Sequence, residues 1–452
     1  MKIPLSIALL FGIVFFLPLP ENGEVLEGLD LSQVRLGLGF FACIAFLWMT
    51  EALPLAITAL LVPVLATAMG LGNLKESLAS FAHPLIFIFL GGFALASALS
   101  AQGLDRWLAE KLSRLGKGKF ISVSIWLFLG TALLSMWMSN TATTAMMLPL
   151  ALGLLNQFKS DESKLSNTHF LLLGLAYSAS IGGLGTIVGS PPNGIAAKQM
   201  GISFSEWMKF GVPAVIVLLP AMIGILWLIL KPCNEGEIRT PEEEETFRFT
   251  APRRITLAIF ASTALAWMFS GKIGPLLGIG DMDTWIALAA IIALAATKIV
   301  TWKQLETGTD WGVLLLFGGG IALSSILGNS GTSLFMARLL GSAMETLPMW
   351  AMIAAVVAFV VFLTELSSNT ASAALLVPIF YSMAQEFDIP PAQLVLPLAI
   401  AASCAFMLPV GTPPNAIVFG TGRVPQRTMI RVGLVLNLLF IALITGMSLV
   451  MF

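Results

Sequence analysis

Charge is what this chain has least of. Asp, Glu, Lys and Arg together make up 11% of its 452 residues, whereas soluble domains carry roughly a quarter. With 57% hydrophobic residues beside so few charges, it cannot clothe a soluble fold in polar surface. The 24 basic and 25 acidic side chains nearly cancel to a net charge of −1, so there is no basic face for nucleic acid and no acidic tail. Two histidines and three cysteines leave little material for a metal cluster or a disulfide framework. Cys43, Cys233 and Cys404 lie far apart, two of them in apolar runs, and read as packing residues. What is abundant is apolar sequence, with a mean hydropathy of +0.91. These features describe an all-α polytopic membrane protein.

Apolar stretches of the roughly 20 residues a helix needs to cross a bilayer recur along the chain. About eleven transmembrane helices are expected, near 3–19, 34–50, 54–70, 84–101, 168–205, 210–230, 254–270, 283–300, 311–328, 391–424 and 428–450. The stretches 168–205 and 391–424 are too long for one crossing and read as broken helices. Two further apolar stretches, about 119–156 and 348–384, each carry a polar cluster at the midpoint. Each is either two full crossings or a re-entrant hairpin.

With a cytoplasmic N-terminus and re-entrant hairpins, the inside segments collect 18 of the 24 Lys and Arg. They include Arg106, Lys111, Arg114, Lys117, Lys119, Arg248, Arg253, Arg254, Arg423, Arg427 and Arg431. The first outside loop is acidic at Glu21, Glu24, Glu27 and Asp30. That asymmetry orients the chain N-in, C-out. Making both stretches double crossings leaves the sidedness unchanged, so charge alone does not establish re-entrance. The first apolar run lacks a clear small-x-small cleavage site before Glu21 and reads as an uncleaved span rather than a signal peptide. Residues 106–119 suit an interfacial amphipathic helix with Leu104, Trp107, Leu108 and Leu112 on its buried face. Glu242 to Glu245 read as a solvated run, and His83 and His169 as span-end residues.

The polar midpoints match each other. Residues 135–150 read SMWMSNTATTAMMLPL and residues 364–379 read TELSSNTASAALLVPI, identical at six of sixteen positions. GSPPNGI at 189–195 matches GTPPNAI at 411–417 in five of seven. The Gly91–Gly92 and Gly319–Gly320 pairs open similar small-residue runs. Three blocks in one order indicate a tandem duplication: an extra N-terminal span and loop at 1–33, a first repeat at 34–230, a cytoplasmic linker at 231–253 and a second repeat at 254–452. Five crossings per unit would turn the second upside-down, the inverted-topology design of secondary transporters, which bind substrate near mid-membrane at the repeat interface.

A Ser-Asn-Thr triplet within an apolar run is expensive unless its groups find partners. Its hydroxyl and amide groups can donate to carboxylate oxygens or coordinate a cation. Beside it, the N-terminus of the descending half-helix can aim N–H groups at an anion. Back-bonding of Ser and Thr to their own helix is the structural alternative, and the matched second triplet weighs against it. In the Gly-Ser/Thr-Pro-Pro-Asn segments, glycine tolerates unusual angles and the prolines suit the first turn of a new half-helix. Such unwound backbone is tolerated at membrane depth only around a cavity or within protein. The four motif segments contain no Arg, Lys or His, and Glu365 is their only charge. A dianion bound there needs helix N-termini and bound cations as compensation. Hard oxygen donors suit an alkali ion and not zinc or copper.

At these paired motifs the sequence resembles the divalent anion:sodium symporter family, the INDY-type dicarboxylate transporters, over nearly its whole length. The resemblance implies a homodimer in which a transport domain moves against a scaffold by an elevator mechanism, in a bacterial-type inner membrane. It implies one sodium ion near Ser135, Ser139, Asn140 and Gly189, and a second near Thr364, Ser367, Asn369 and Gly411. The dicarboxylate would be held by Asn140, Thr141, Asn369 and Thr370, with Ser190, Thr412 and Pro413 lining the same cavity. Some members of that family are exchangers that use basic side chains in place of sodium, and the motifs here contain none. The expected function is therefore sodium-coupled import of C4 dicarboxylates such as succinate, malate and fumarate, with no organic cofactor. An exchanger, or a symporter of sulfate or citrate, is the nearest alternative. An intramembrane hydrolase or acyltransferase would need a base beside its Ser or Thr, and the motifs supply no His or Lys. Against a channel, paired broken helices favour alternating access.

Overall fold

The structure, a computed structural model, describes residues 2–16, 27–116, 119–156, 161–233, 247–344 and 346–451. Among these residues there is no strand, as expected where backbone polar groups must be satisfied away from water. Helix α1 (Lys2–Phe16) precedes two runs of helices. The first comprises α2 (Leu31–Thr50), α3 (Leu55–Ala68), α4 (Leu74–Ala79), α5 (Pro84–Ala101), α6 (Leu104–Arg114), α7 (Phe120–Ser135), α8 (Asn140–Leu155), α9 (Asp161–Gly182), α10 (Pro191–Met200) and α11 (Phe204–Leu230). The second comprises α12 (Ala251–Met268), α13 (Ser270–Leu277), α14 (Met282–Ala296), α15 (Trp302–Gly308), α16 (Trp311–Asn329), α17 (Thr332–Met344), α18 (Met349–Thr364), α19 (Asn369–Glu386), α20 (Pro391–Ala402), α21 (Pro413–Phe419) and α22 (Gln426–Met451). Apart from α13, which follows α12 after an 81° bend, the two runs correspond element by element.

Local chemistry starts these helices where they start. Asp30 accepts from Ser32 N at 2.8 Å to cap α2, and Ser203 with Glu206 forms a capping box on α11. Pro84 opens α5 behind His83, a position where its missing N–H removes no helical bond. Among the described residues, five helical stretches are individually long and apolar enough to cross a bilayer: Leu31–Thr50, Leu74–Ala101, Phe204–Leu230, Trp311–Asn329 and Gln426–Met451. The bent pair α12–α13 makes a sixth. The remaining expected spans are shorter apolar helices or interrupted pairs. The span expected from residue 84 begins at Leu74, because a 3-10 turn joins α4 to α5. The first expected span is described to Phe16; Glu21, Glu24, Lys117, Arg239 and Glu242 to Glu245 fall outside the described residues.

Each 38-residue stretch is interrupted at its polar midpoint, between α7 and α8 and between α18 and α19. The two helices of each pair touch one another and share a partner, α9 for the first and α20 for the second. The broken helices are the innermost elements: residues 167–190 and 394–406 are buried without exception, as an apolar helix covered on every side must be. The expected amphipathic helix is α6. Leu104 is buried, Trp107, Leu108 and Leu112 are half-buried, and Trp107 stacks on Phe247 at 5.3 Å.

The two runs interlock. α3 packs on α16, and α14 on α5; α10 lies against α19 and α20, while α21 lies against α8 and α9. Exchanging the runs reproduces each pairing, as a two-fold axis between the halves would. The glycine pairs make the closest of these approaches possible. A Cβ on Gly91 would sit 2.7 Å from Ala287 Cβ, and one on Gly319 would sit 2.6 Å from Ala59 Cβ. In both cases the neighbour's backbone is also within 3.0 Å, so no side-chain rotation relieves the clash. Overpacking of this kind costs about 1–3 kcal/mol. Gly91→Ala and Gly319→Ala are each expected to lower the melting temperature of the purified protein in detergent. Gly224→Ala, with nothing within 4 Å, is expected to leave it unchanged.

Candidate functional site

Both triplets and both Pro-Pro segments border one cavity of about 680 Å³. Asn140, Thr141, Ser190, Asn369, Thr370, Thr412 and Pro413 all line it, as do Ser139, Gly189 and Gly411. Ser135 and Thr364 lie just behind this surface, fully buried. Ser367 is not brought to the cavity. Its hydroxyl lies 3.0 Å from the Leu363 carbonyl and 2.8 Å from Ser372 Oγ, turned into its own hairpin.

The tips are built alike. Ser135 Oγ meets the Asn140 amide at 2.6 Å, and Thr364 Oγ1 lies 2.6 Å from Asn369 Oδ1 and 2.9 Å from the Ala402 carbonyl. The arm of the Asn140 amide that faces Ser135 has acceptors on every side. Turned with its nitrogen there, it donates to Ser135 Oγ, to the Ala179 carbonyl at 3.0 Å and to the Gly189 carbonyl at 3.2 Å. Turned with its oxygen there, it completes a cluster of oxygens that needs a cation among them. The backbone draws in around the same point: a Cβ on Gly189 would sit 2.5 Å from the Gly183 carbonyl and 3.0 Å from the Ser135 carbonyl. These neutral, hard oxygen donors fit an alkali cation. Around Gly411, the Leu408 carbonyl and a Glu365 oxygen lie 3.4 and 3.1 Å from where a Cβ would be.

Among the described residues, the ionisable ones lining the cavity are acidic, Glu51 and Asp310. Positive potential for an anion must come from helix ends. α8, α10, α19 and α21 all begin at cavity residues, but α10 and α21 open on two prolines and so lack the first two N–H donors. The free donors are at the triplets. Among the described residues, no hydrogen bond claims the N–H of Asn140, Thr141, Asn369 or Thr370, nor the hydroxyls of Thr141 and Thr370. A carboxylate could take several of these together.

Residues 45–391 match the citrate transporter family, CitMHS. The chain belongs to this family. Over 97% of its length it is 49% identical to an uncharacterized transporter of Haemophilus influenzae, covering 96% of that protein. It is 32% identical to the sodium-dependent dicarboxylate transporter SdcS of Staphylococcus saprophyticus, over 89% of this chain and 83% of SdcS. The crystal structure of the Alcanivorax borkumensis YdaH transporter shares the fold, with a TM-score of 0.53 at 15% identity over 82% of this chain and 86% of that one. This citrate transporter family member is thus a multi-pass membrane transporter of the divalent anion:sodium symporter type, and not an enzyme.

In this transporter, several site residues carry no motif signal. Phe89, Phe93, Val313 and Leu316 wall the cavity from α5 and α16, helices that the glycine pairs marked without indicating which side chains face inward. Ser403 Oγ, 3.0 Å from Ser190 Oγ, joins the two Pro-Pro regions. Asn193 and Asn415 are fully buried and act as clamps. Asn193 Nδ2 donates to the carbonyls of Gly183 (2.8 Å) and Thr186 (2.7 Å). Asn415 Nδ2 donates to those of Ala405 (3.0 Å) and Leu408 (3.1 Å).

Glu365, whose role the sequence left open, organises the second break. Its oxygens accept from the backbone N–H of Phe406 (2.7 Å), Met407 (2.8 Å) and Leu408 (3.0 Å), and from Asn437 Nδ2 (2.8 Å). Four donors converge on this carboxyl, three on one oxygen and the Leu408 N–H on the other. The equivalent position in the first run is Met136, whose carbonyl instead accepts from the Thr186 hydroxyl. Glu365→Gln would turn an NH2 group toward N–H donors, and each unmatched buried group costs about 1–3 kcal/mol. The variant is expected to show a lower melting temperature than wild type in detergent, measured without substrate.

Proposed function

We propose that this transporter is a sodium-coupled symporter that imports C4 dicarboxylates such as succinate, malate and fumarate across a bacterial-type inner membrane. The observation that carries the reading is the pairing of two oxygen clusters with unclaimed N–H and hydroxyl donors in one cavity that, among the described residues, has no basic side chain. Two sodium ions, one at Ser135, Ser139, Asn140 and Gly189 and one at Thr364, Ser367, Asn369 and Gly411, would order the tips. Ser367 would have to turn from its present partners to take part. The dicarboxylate would then bridge Asn140 and Thr141 to Asn369 and Thr370, with Ser190, Thr412 and Pro413 beside it. The sodium-dependent dicarboxylate transporter named among the relatives supports this choice of cation and anion.

Alternating access follows from how the halves depart from symmetry. α10 and α19 pack on α16; Val188 and Ala374 are 7% and 1% exposed. At the equivalent positions in the other half, Val410 is 77% exposed and Ala145 is also exposed. The main cavity opens beside the starts of α3 and α16, and a second one, of about 470 Å³, beside the starts of α5 and α14. Exchanging the inverted repeats, 34–230 and 254–452, exchanges these two mouths. With the N-terminus inside, the main cavity faces the cytoplasm. A transport domain carrying both hairpins and both broken helices would move against the remaining spans in each protomer of a homodimer.

Purified protein in proteoliposomes is expected to accumulate radiolabelled succinate with an inward sodium gradient and not with potassium. Uptake only after internal succinate is preloaded would make it an exchanger, and sodium-driven uptake of citrate alone would change the cargo. Asn140→Ala and Asn369→Ala are each expected to lose sodium binding and succinate binding together. Full uptake by either variant at low sodium would remove the double assignment.

A further inference from the structure

Away from the transport cavity, a separate cavity of about 400 Å³ lies among the ends of α9, α11 and α22. Arg427 and Arg431 line it from the first turns of α22, His169 lines it from α9, and among the described residues no acidic side chain is part of its wall. The two arginines stand four residues apart on one helix face, where like charges repel. Both are exposed, and neither makes a hydrogen bond or ion pair among the described residues. The N-terminus of α22 adds positive potential of its own. His169 is only 7% exposed, and its Nε2 is buried with no protein group in hydrogen-bonding distance and angle; the Arg423 carbonyl faces the ring. A buried polar atom without a partner calls for a group that the protein itself does not supply.

The rest of the wall says what kind of anion fits. Leu165, 57% exposed, and Ile229 and Leu230 at the end of α11 form an apolar side. The cavity sits at the ends of two helices of 27 and 26 residues that are long enough to span a bilayer, at the depth of the lipid headgroups. Guanidinium forks match phosphate oxygens, and basic pockets between helices near the membrane surface suit anionic headgroups. We propose that this cavity binds the phosphate-bearing headgroup of an anionic phospholipid, tying α9, α11 and α22 together at one membrane face.

The test is the melting temperature of the full-length purified protein in detergent, with phosphatidylglycerol, phosphatidylcholine or inorganic phosphate added. Phosphatidylglycerol is expected to raise it and phosphatidylcholine to leave it unchanged. The rise should vanish in the double variant Arg427→Gln/Arg431→Gln, shrink in His169→Gln, and persist in Arg254→Gln, which removes an exposed cation elsewhere. No rise in wild type, a rise that survives the double variant, or one lost equally in Arg254→Gln would overturn the proposal. An equal rise with inorganic phosphate would overturn the lipid as the source and leave a site for free phosphate.

Discussion

A helix interrupted in the middle of a bilayer exposes carbonyls and N–H groups to surroundings that offer no water, and each must be paired or used. The architecture of this transporter is arranged around meeting that constraint twice. Ser190 and Thr412 leave helical geometry for extended backbone, at φ −147° and −143°, and the prolines that follow start a new half-helix without its first two N–H donors. Asn193 and Asn415 then reach back across the break and bind two carbonyls each. The second break has a further set of inward N–H groups, and the Glu365 carboxyl gathers them. Because the breaks are closed in this way, the ends of four half-helices can stay pointed at one cavity.

The same arrangement limits what the cavity can hold. Among the described residues it offers neutral oxygens, unclaimed N–H groups and two acidic lining residues, and no fixed positive charge. An anion entering alone would gain only helix-end potential. An anion entering with cations at the neighbouring oxygen clusters would gain a positive partner that can be released again, which permits both capture and discharge. A permanent arginine would bind an anion more firmly but would tie its release to a different compensation.

Symmetry and its violation serve different ends. The exchanged pairings of α3 with α16 and α14 with α5 depend on glycines at the crossing, where backbones meet too closely for any side chain. These contacts make a scaffold that looks the same from both repeats. Around it, the hairpins and broken helices do not obey the exchange: one set is buried against α16 and the other faces the cavity. Two equivalent halves thus sit in unequal surroundings.

Sequence alone determined the membrane class and the repeated motifs, and it named residues that meet at one cavity. Low charge, apolar runs and repeated triplets are local signals, and the residues carrying the strongest of them, Asn140, Thr141, Asn369 and Thr370, lie on a common cavity wall. It also marked Gly91 and Gly319 without saying what they approach, because their partners Ala287 and Ala59 sit in the opposite repeat. Tertiary structure decided the rest. Ser367 and Thr364 look interchangeable as hydroxyl residues before a triplet, yet a turn of only four residues directs one into its own hairpin and the other toward Asn369. Glu365 reads as a lone charge in an apolar run until residues 406–408 and Asn437, far along the chain, close around it. Motifs reveal which groups are available; which groups meet depends on packing between segments that are remote in sequence.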